Sequence, residues 1–63
     1  MINGERQDIA EGMTIARLVA QLGLNHRRIA VEVNRAIIPR EQYGDHVLCA
    51  ADAVEIVHFV GGG

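Results

Sequence analysis

Several structural options are closed to this chain by what it lacks. Cys49 is the single cysteine among 63 residues, so no internal disulfide can form and the fold is not a disulfide scaffold. Aromatic side chains are limited to Tyr43 and Phe59, so the core must be built from isoleucine, valine and leucine. No run approaches the roughly 18 apolar residues of a membrane-crossing helix. Met1-Ile2 is followed by Asn3, Glu5, Arg6 and Asp8, not by an apolar segment, and no signal peptide is expected. The net charge of -2 and the pI near 5.8 do not provide the basic stripe that a phosphate backbone requires. These points lead to the expectation of a cytoplasmic globular domain with neither nucleic acid nor membrane as partner.

Catalytic signatures are equally sparse. His26, His46 and His58 have no metal-ligand spacing among them, and a structural zinc site normally takes four ligands, often with two cysteines. No metal is expected. Paired carboxylates and a Ser-His-Asp set are not evident. The glycines at 61–63 follow a strand-like segment but open no helix, so they cannot use a helix N-terminus to hold phosphate. No catalytic residue is therefore assigned.

What remains is an aliphatic chain, 49% apolar, of one domain. A domain this short buries only about 60% of the surface its unfolded chain exposes, which leaves little room for an internal active site. Asn3-Gly4 is the preferred pair for a two-residue type I′ hairpin turn, with a very short strand before it and a longer one expected over about 5–9. Thr14 is a candidate N-cap. Ile15, Leu18, Val19 and Leu22 follow at the spacing of one helical face, which predicts a helix over 14–22. Gly23 fits the left-handed position after the last turn, with Leu24 folding back.

Residues 29–34 alternate, with Ile29, Val31 and Val33 on one face and Ala30, Glu32 and Asn34 on the other. Ile37-Ile38 predicts a short extended piece that Pro39 ends. Residues 40–45 read as a polar turn, and Val47-Leu48 as a brief strand. The β-branched run 54–60 predicts the final strand, with Val54, Ile56 and His58 facing one way and Glu55, Val57 and Phe59 the other. One helix cannot cover both faces of such a sheet. The expected architecture is α+β: a roll in which a mixed sheet of four to five strands grasps one helix over 1–60, followed by a glycine tail at 61–63.

Glycine at an end cannot pack, but it can lie extended in a channel too narrow for a Cβ. The Gly61-Gly62-Gly63 segment is thus suited to presenting a carboxylate inside a partner enzyme. Three segments make a more specific pattern: Asn3-Gly4-Glu5, then Val31-Glu32-Val33-Asn34 with Ile37-Ile38-Pro39-Arg40-Glu41-Gln42-Tyr43, and Asp52-Ala53-Val54-Glu55-Ile56-Val57 with the glycines. With these the chain resembles the ubiquitin-like β-grasp sulfur carriers, most closely the ThiS family of thiamine biosynthesis, over nearly its whole length. One departure is that only Met1 and Ile2 precede the Asn3-Gly4 turn, where the family usually has a fuller first strand.

The resemblance implies a cosubstrate rather than an enzyme. It implies no bound cofactor. An E1-like adenylyltransferase would use MgATP to adenylate the carboxylate of Gly63. A sulfur donor system, a cysteine desulfurase or a related donor, would convert it to a thiocarboxylate (1-thioglycine). Thiazole synthase would then receive the sulfur. Alternatives are a molybdopterin synthase small subunit, a ubiquitin-like modifier, or a plain interaction module.

Beside the tail, Ala30, Val57 and Phe59 are candidates for an apolar docking patch, with Arg40 and its neighbours Glu41 and Gln42 as a polar rim. Cys49, flanked by Leu48 and Ala50, is expected to be buried and structural.

Overall fold

The computed structural model describes residues 1–24 and 28–58. Among them stand one helix, α1 (Ile15–Gln21), three strands, β1 (Ile29–Val33), β2 (Ala36–Ile38) and β3 (Val54–His58), and a 3-10 turn at Arg40–Gln42. The helix begins where Thr14, in extended backbone, accepts a hydrogen bond on its Oγ1 from the Arg17 amide at 3.2 Å. That bond satisfies one of the amides a helix start leaves unpaired. The Ile15 and Ala16 amides find the carbonyls of His46 and Tyr43, at 3.1 and 3.0 Å. The loop after β2 therefore caps the helix as well.

The helix ends in the expected glycine motif. Gly23 has φ of +73°, its amide bonds the Ala20 carbonyl at 3.0 Å, and the Leu24 amide bonds the Val19 carbonyl at 2.9 Å. Leu24 packs back on the core, which completes a Schellman arrangement. Leu22 departs from the sequence reading. It is the C-cap and is 41% exposed, because the chain turns away there before the helix can bring it round to the buried face.

The sheet order is β2-β1-β3, antiparallel throughout. Ile29, Val31 and Val33 are buried and alternate with half-buried neighbours. With Val54 they join Ile15, Leu18 and Val19 of the helix in one aliphatic core that also takes in Ile2, Met13, Tyr43 and Leu48. This is the anticipated α+β roll with fewer full strands than the four to five expected. The remaining pieces are single bridges: Ile2 parallel to Val54, Ile2 to Glu5 across the Asn3-Gly4 turn, and Thr14 to Val47. The parallel bridge supplies the mixed character of the sheet.

The strand expected over 5–9 is absent, because residues 5–8 are all exposed and only Ile9 is partly buried. A strand there would have no apolar face to hold it. The segment at 40–45 is more structured than its polarity indicates. The Tyr43 amide bonds the Arg40 carbonyl at 3.1 Å, and the Tyr43 side chain is driven into the core.

The β1–β2 turn carries Asn34 and Arg35 at φ of 51° and 70°. Asparagine tolerates this left-handed region, but arginine does so at a cost of roughly 1–2 kcal/mol. Arg35→Gly removes that strain and adds unfolded-state entropy worth about 0.5–1 kcal/mol. The balance favours the variant. We expect Arg35→Gly to raise the urea midpoint, by an amount corresponding to about 0.5 kcal/mol or more. A lower midpoint would show that the Arg35 side chain contributes more than its backbone costs.

Candidate functional site

β3 is the element that leads to the glycines, and both of its sides are held. On one side it pairs with β1 from Ile29–His58 to Val33–Val54. On the other it is bound by the first residues of the chain. The Asn3 amide donates to the Val54 carbonyl and the Val54 amide to the Met1 carbonyl, both at 2.8 Å. The Asn3 Oδ1 accepts from the Ile56 amide at 2.7 Å. Asn3 thus does two things: at φ of 51° it forms the turn, and its side chain continues the ladder where the backbone has already turned away.

A second polar cluster anchors the entry to β3. Asn34 accepts on Oδ1 from the Ala53 amide and donates through Nδ2 to Asp52 Oδ1, both at 2.9 Å. Asp52 Oδ2 accepts from the Cys49 amide at 2.8 Å, and the Met1 ammonium donates to the Asp52 carbonyl at 3.0 Å. The Cys49 amide first, and the Asn34 amide second, hold the Asp52 carboxyl below its ordinary value of 3.8. Both bonds favour the charged form.

The sign of the linkage follows. A depressed carboxylate stabilises the fold above its unfolded value and ceases to do so as pH falls through the folded one. We expect unfolding free energy to fall in acid below about pH 3.8, and this component of the fall to vanish in Asp52→Asn. Acid titration of thermal midpoints for the two proteins checks this; identical acid limbs would refute it.

The face of the sheet away from α1 carries Ala30 and Glu32 of β1, Ile37 of β2, and Glu55 and Val57 of β3. Ala30 lies directly opposite Val57, and Glu32 lies between Ile37 and Glu55. Val57 is 47% and Ile37 72% exposed. The sequence register was therefore right for Ala30 and Val57, and the two are brought together. Arg40 stands apart from them. It begins the 3-10 turn and lines a cleft with Ala16, Val19, Leu24, Ile29 and Tyr43, on the helix side of the sheet. Phe59, Gly61, Gly62 and Gly63 lie outside the described residues, as does His26.

Three members of this face, Glu32, Ile37 and Glu55, were not singled out from sequence. For the two glutamates the signal was the alternation itself, since every second residue counted from Ala30 and from Val57 lies on the same side. Ile37 joins the face only through its pairing with Glu32. Cys49 is a correction. It is exposed, because the turn closed by Asp52 puts it on the surface while Leu48 takes the core position. Among the described residues no group of histidine, cysteine and carboxylates is placed to hold a metal ion, and no helix is long and apolar enough to cross a membrane.

Comparison with known proteins is consistent along the chain. The profile of the ThiS family matches residues 1–63. The sulfur carrier protein ThiS of Bacillus subtilis is 48% identical over 50 residues, which are 79% of this chain and 76% of that one. The crystal structure of thiamine biosynthesis protein ThiS from Geobacter metallireducens superposes with a TM-score of 0.78 at 31% identity, covering 98% of this chain and 94% of the other. A thiazole synthase of Paramagnetospirillum magneticum is 40% identical over 63 residues, all of this chain but only 19% of that protein's length. Matched by the family profile over residues 1–63 and sharing the fold of a solved member, the chain belongs to the ThiS family.

Proposed function

We propose that this chain carries sulfur as a thiocarboxylate on Gly63 for formation of a thiazole ring, serving as a cosubstrate rather than a catalyst. The observation that carries this reading is the family match across residues 1–63, reinforced by the likeness to a sulfur carrier over 79% of the chain. The body fits the task. It holds β3, the strand that feeds the glycines, on both sides.

The chemistry requires partners. A carboxylate is inert to a sulfur nucleophile until its oxygen becomes a leaving group. An E1-like adenylyltransferase using MgATP would make the acyl-adenylate, and attack by a donor sulfur would release AMP. If that sulfur is the terminal atom of a persulfide on a cysteine desulfurase or related donor, the product is an acyl disulfide. Attack of a second donor thiol on its S–S bond would release the thiocarboxylate and leave a disulfide on the donor. Thiazole synthase would take the sulfur from the thiocarboxylate. The last partner is supported by the thiazole synthase that contains a segment 40% identical to this chain. The outer face bearing Ala30 and Val57 is the proposed docking surface. Gly61 and Gly62 provide a reach of about 3.5 Å per residue with no Cβ to obstruct it.

Intact mass measurement of the protein isolated from its own cell tests the reading. A species heavier by one oxygen-to-sulfur exchange at the C-terminus is expected, as is its conversion on adding thiazole synthase and the remaining substrates. Absence of that species, even when adenylyltransferase, MgATP and a sulfur source are supplied, would falsify the carrier role. An isopeptide-linked product instead would identify a modifier.

A further inference from the structure

We propose that the outer sheet face docks on a thiazole synthase surface that brings an arginine or lysine between Glu32 and Glu55, set within an apolar surround. This rests on the carrier reading above and names the chemistry of its partner. Glu32 and Glu55 are directly opposed across β1 and β3, and like charges in such a pair repel. The other outer-face positions of the three strands are Ala30, Ile37 and Val57, so no cation on β1, β2 or β3 stands beside the pair. Ile37 beside Glu32 is 72% exposed, and Val57 is 47% exposed. The acidic pair is thus flanked by apolar side chains, with Ile37 beside Glu32 and Ala30 and Val57 next along the strands.

In the free chain the repulsion is small because water screens both carboxylates. Covering the face changes that. A wholly apolar partner would strip water from two anions without compensation, and an acidic partner would be repelled. A single cation meets both carboxylates at once, and a guanidinium does so with donors in a fixed fork. The pair therefore sets which surface can close over Ile37 and Val57, at some cost to the free fold.

Opposite responses of stability and binding test this. The full chain is titrated into purified thiazole synthase at low and high salt, and thermal midpoints of the free variants are recorded. Glu32→Gln and Glu55→Gln should each weaken binding about tenfold, the effect of losing one charged interface contact, and should flatten its salt dependence. Glu55→Lys, which turns the repulsive pair into an attractive one, should weaken binding more than either. All three free variants should melt at or above the wild-type temperature.

Unchanged binding in the glutamine variants overturns the proposal, and so does weakened binding that tracks lost stability. Failure of the wild-type chain to bind the synthase, or sensitivity confined to the adenylating partner, also overturns it. None of these outcomes touches the carrier reading while the thiocarboxylate species is present. Loss of that species in the wild-type chain sinks the carrier reading instead.

Discussion

Ile15→Ala is expected to leave most of the chain unfolded at physiological temperature. Ile15 is fully buried, at 0% exposure, at the start of α1 and at the centre of the aliphatic core. Truncating a buried isoleucine to alanine costs about 2–5 kcal/mol, part transfer and part residual cavity. A domain of this size rarely has more than about 3–5 kcal/mol in total, so a loss in the upper part of the truncation range cancels the stability of the fold. The first turn of the helix has little freedom to collapse into the gap, because the Ile15 amide is bonded to the His46 carbonyl and the Ala16 amide to the Tyr43 carbonyl. Ile15→Val, which removes one methylene and keeps the branch, should cost only about 0.5–1.5 kcal/mol. Urea unfolding of the three proteins is the measurement. Near-equal midpoints for the valine and alanine variants would mean that the site closes over the cavity and that the core is more plastic than its burial indicates.

The second large effect concerns the tail. Deleting Gly63 is expected to lower thiocarboxylate formation by about a hundredfold or more while leaving the unfolding midpoint unchanged. The deletion leaves a glycine with a free carboxylate, so the chemistry of the end group is the same. What changes is its position, by about one residue length of 3.5 Å. A misplacement of even about 1 Å at a reacting centre costs on the order of a hundredfold. Among the described residues the last core positions are Val54 and the partly buried Ile56, several residues before Gly63, so the deletion is expected to leave stability alone. Adenylation assayed by pyrophosphate release, with intact mass as the product readout, separates position from chemistry. Wild-type rates in the deletion variant would show that the partner tolerates a shifted carboxylate, and Gly63 would lose its assigned role.

Much of the fold could be read from residue order because its local signals are strong and unopposed. Thr14, Gly23 and Leu24 mark the helix ends by local chemistry, and the alternation of 29–33 and 54–58 put Ala30 and Val57 on the faces they occupy. Elements whose existence depends on tertiary partners were harder to read. A strand at 5–9 looked plausible after an Asn-Gly turn, but a hairpin arm with no apolar face finds nothing to pack on. Tyr43 was concealed by polar neighbours, since periodicity cannot flag a lone core residue in a turn. Cys49 was misplaced because average burial preferences ignore the turn that Asp52 closes. The outer face was half legible: Ala30 and Val57 emerged from alternation, whereas the meeting of Glu32 with Glu55 required knowing that β1 and β3 are neighbours. The lack of a Cβ at 61–63 drew attention to Gly63, and the resemblance to a glycine-ended family narrowed the expectation to sulfur transfer.

The bonds from Met1 and Asn3 to Val54 and Ile56 have a mechanical consequence. Ile2 runs parallel to Val54, and the Ile56 amide to Asn3 Oδ1 bond joins residues 53 positions apart. In the proposed carrier role, an enzyme drawing the glycines into its active site would pull on β3 along its length. The bonds to the amino-terminal segment lie across that direction and are loaded together in shear, not opened one after another. Tension on the tail is thereby passed to the far end of the chain, and the body can stay folded while its terminus is gripped and worked upon.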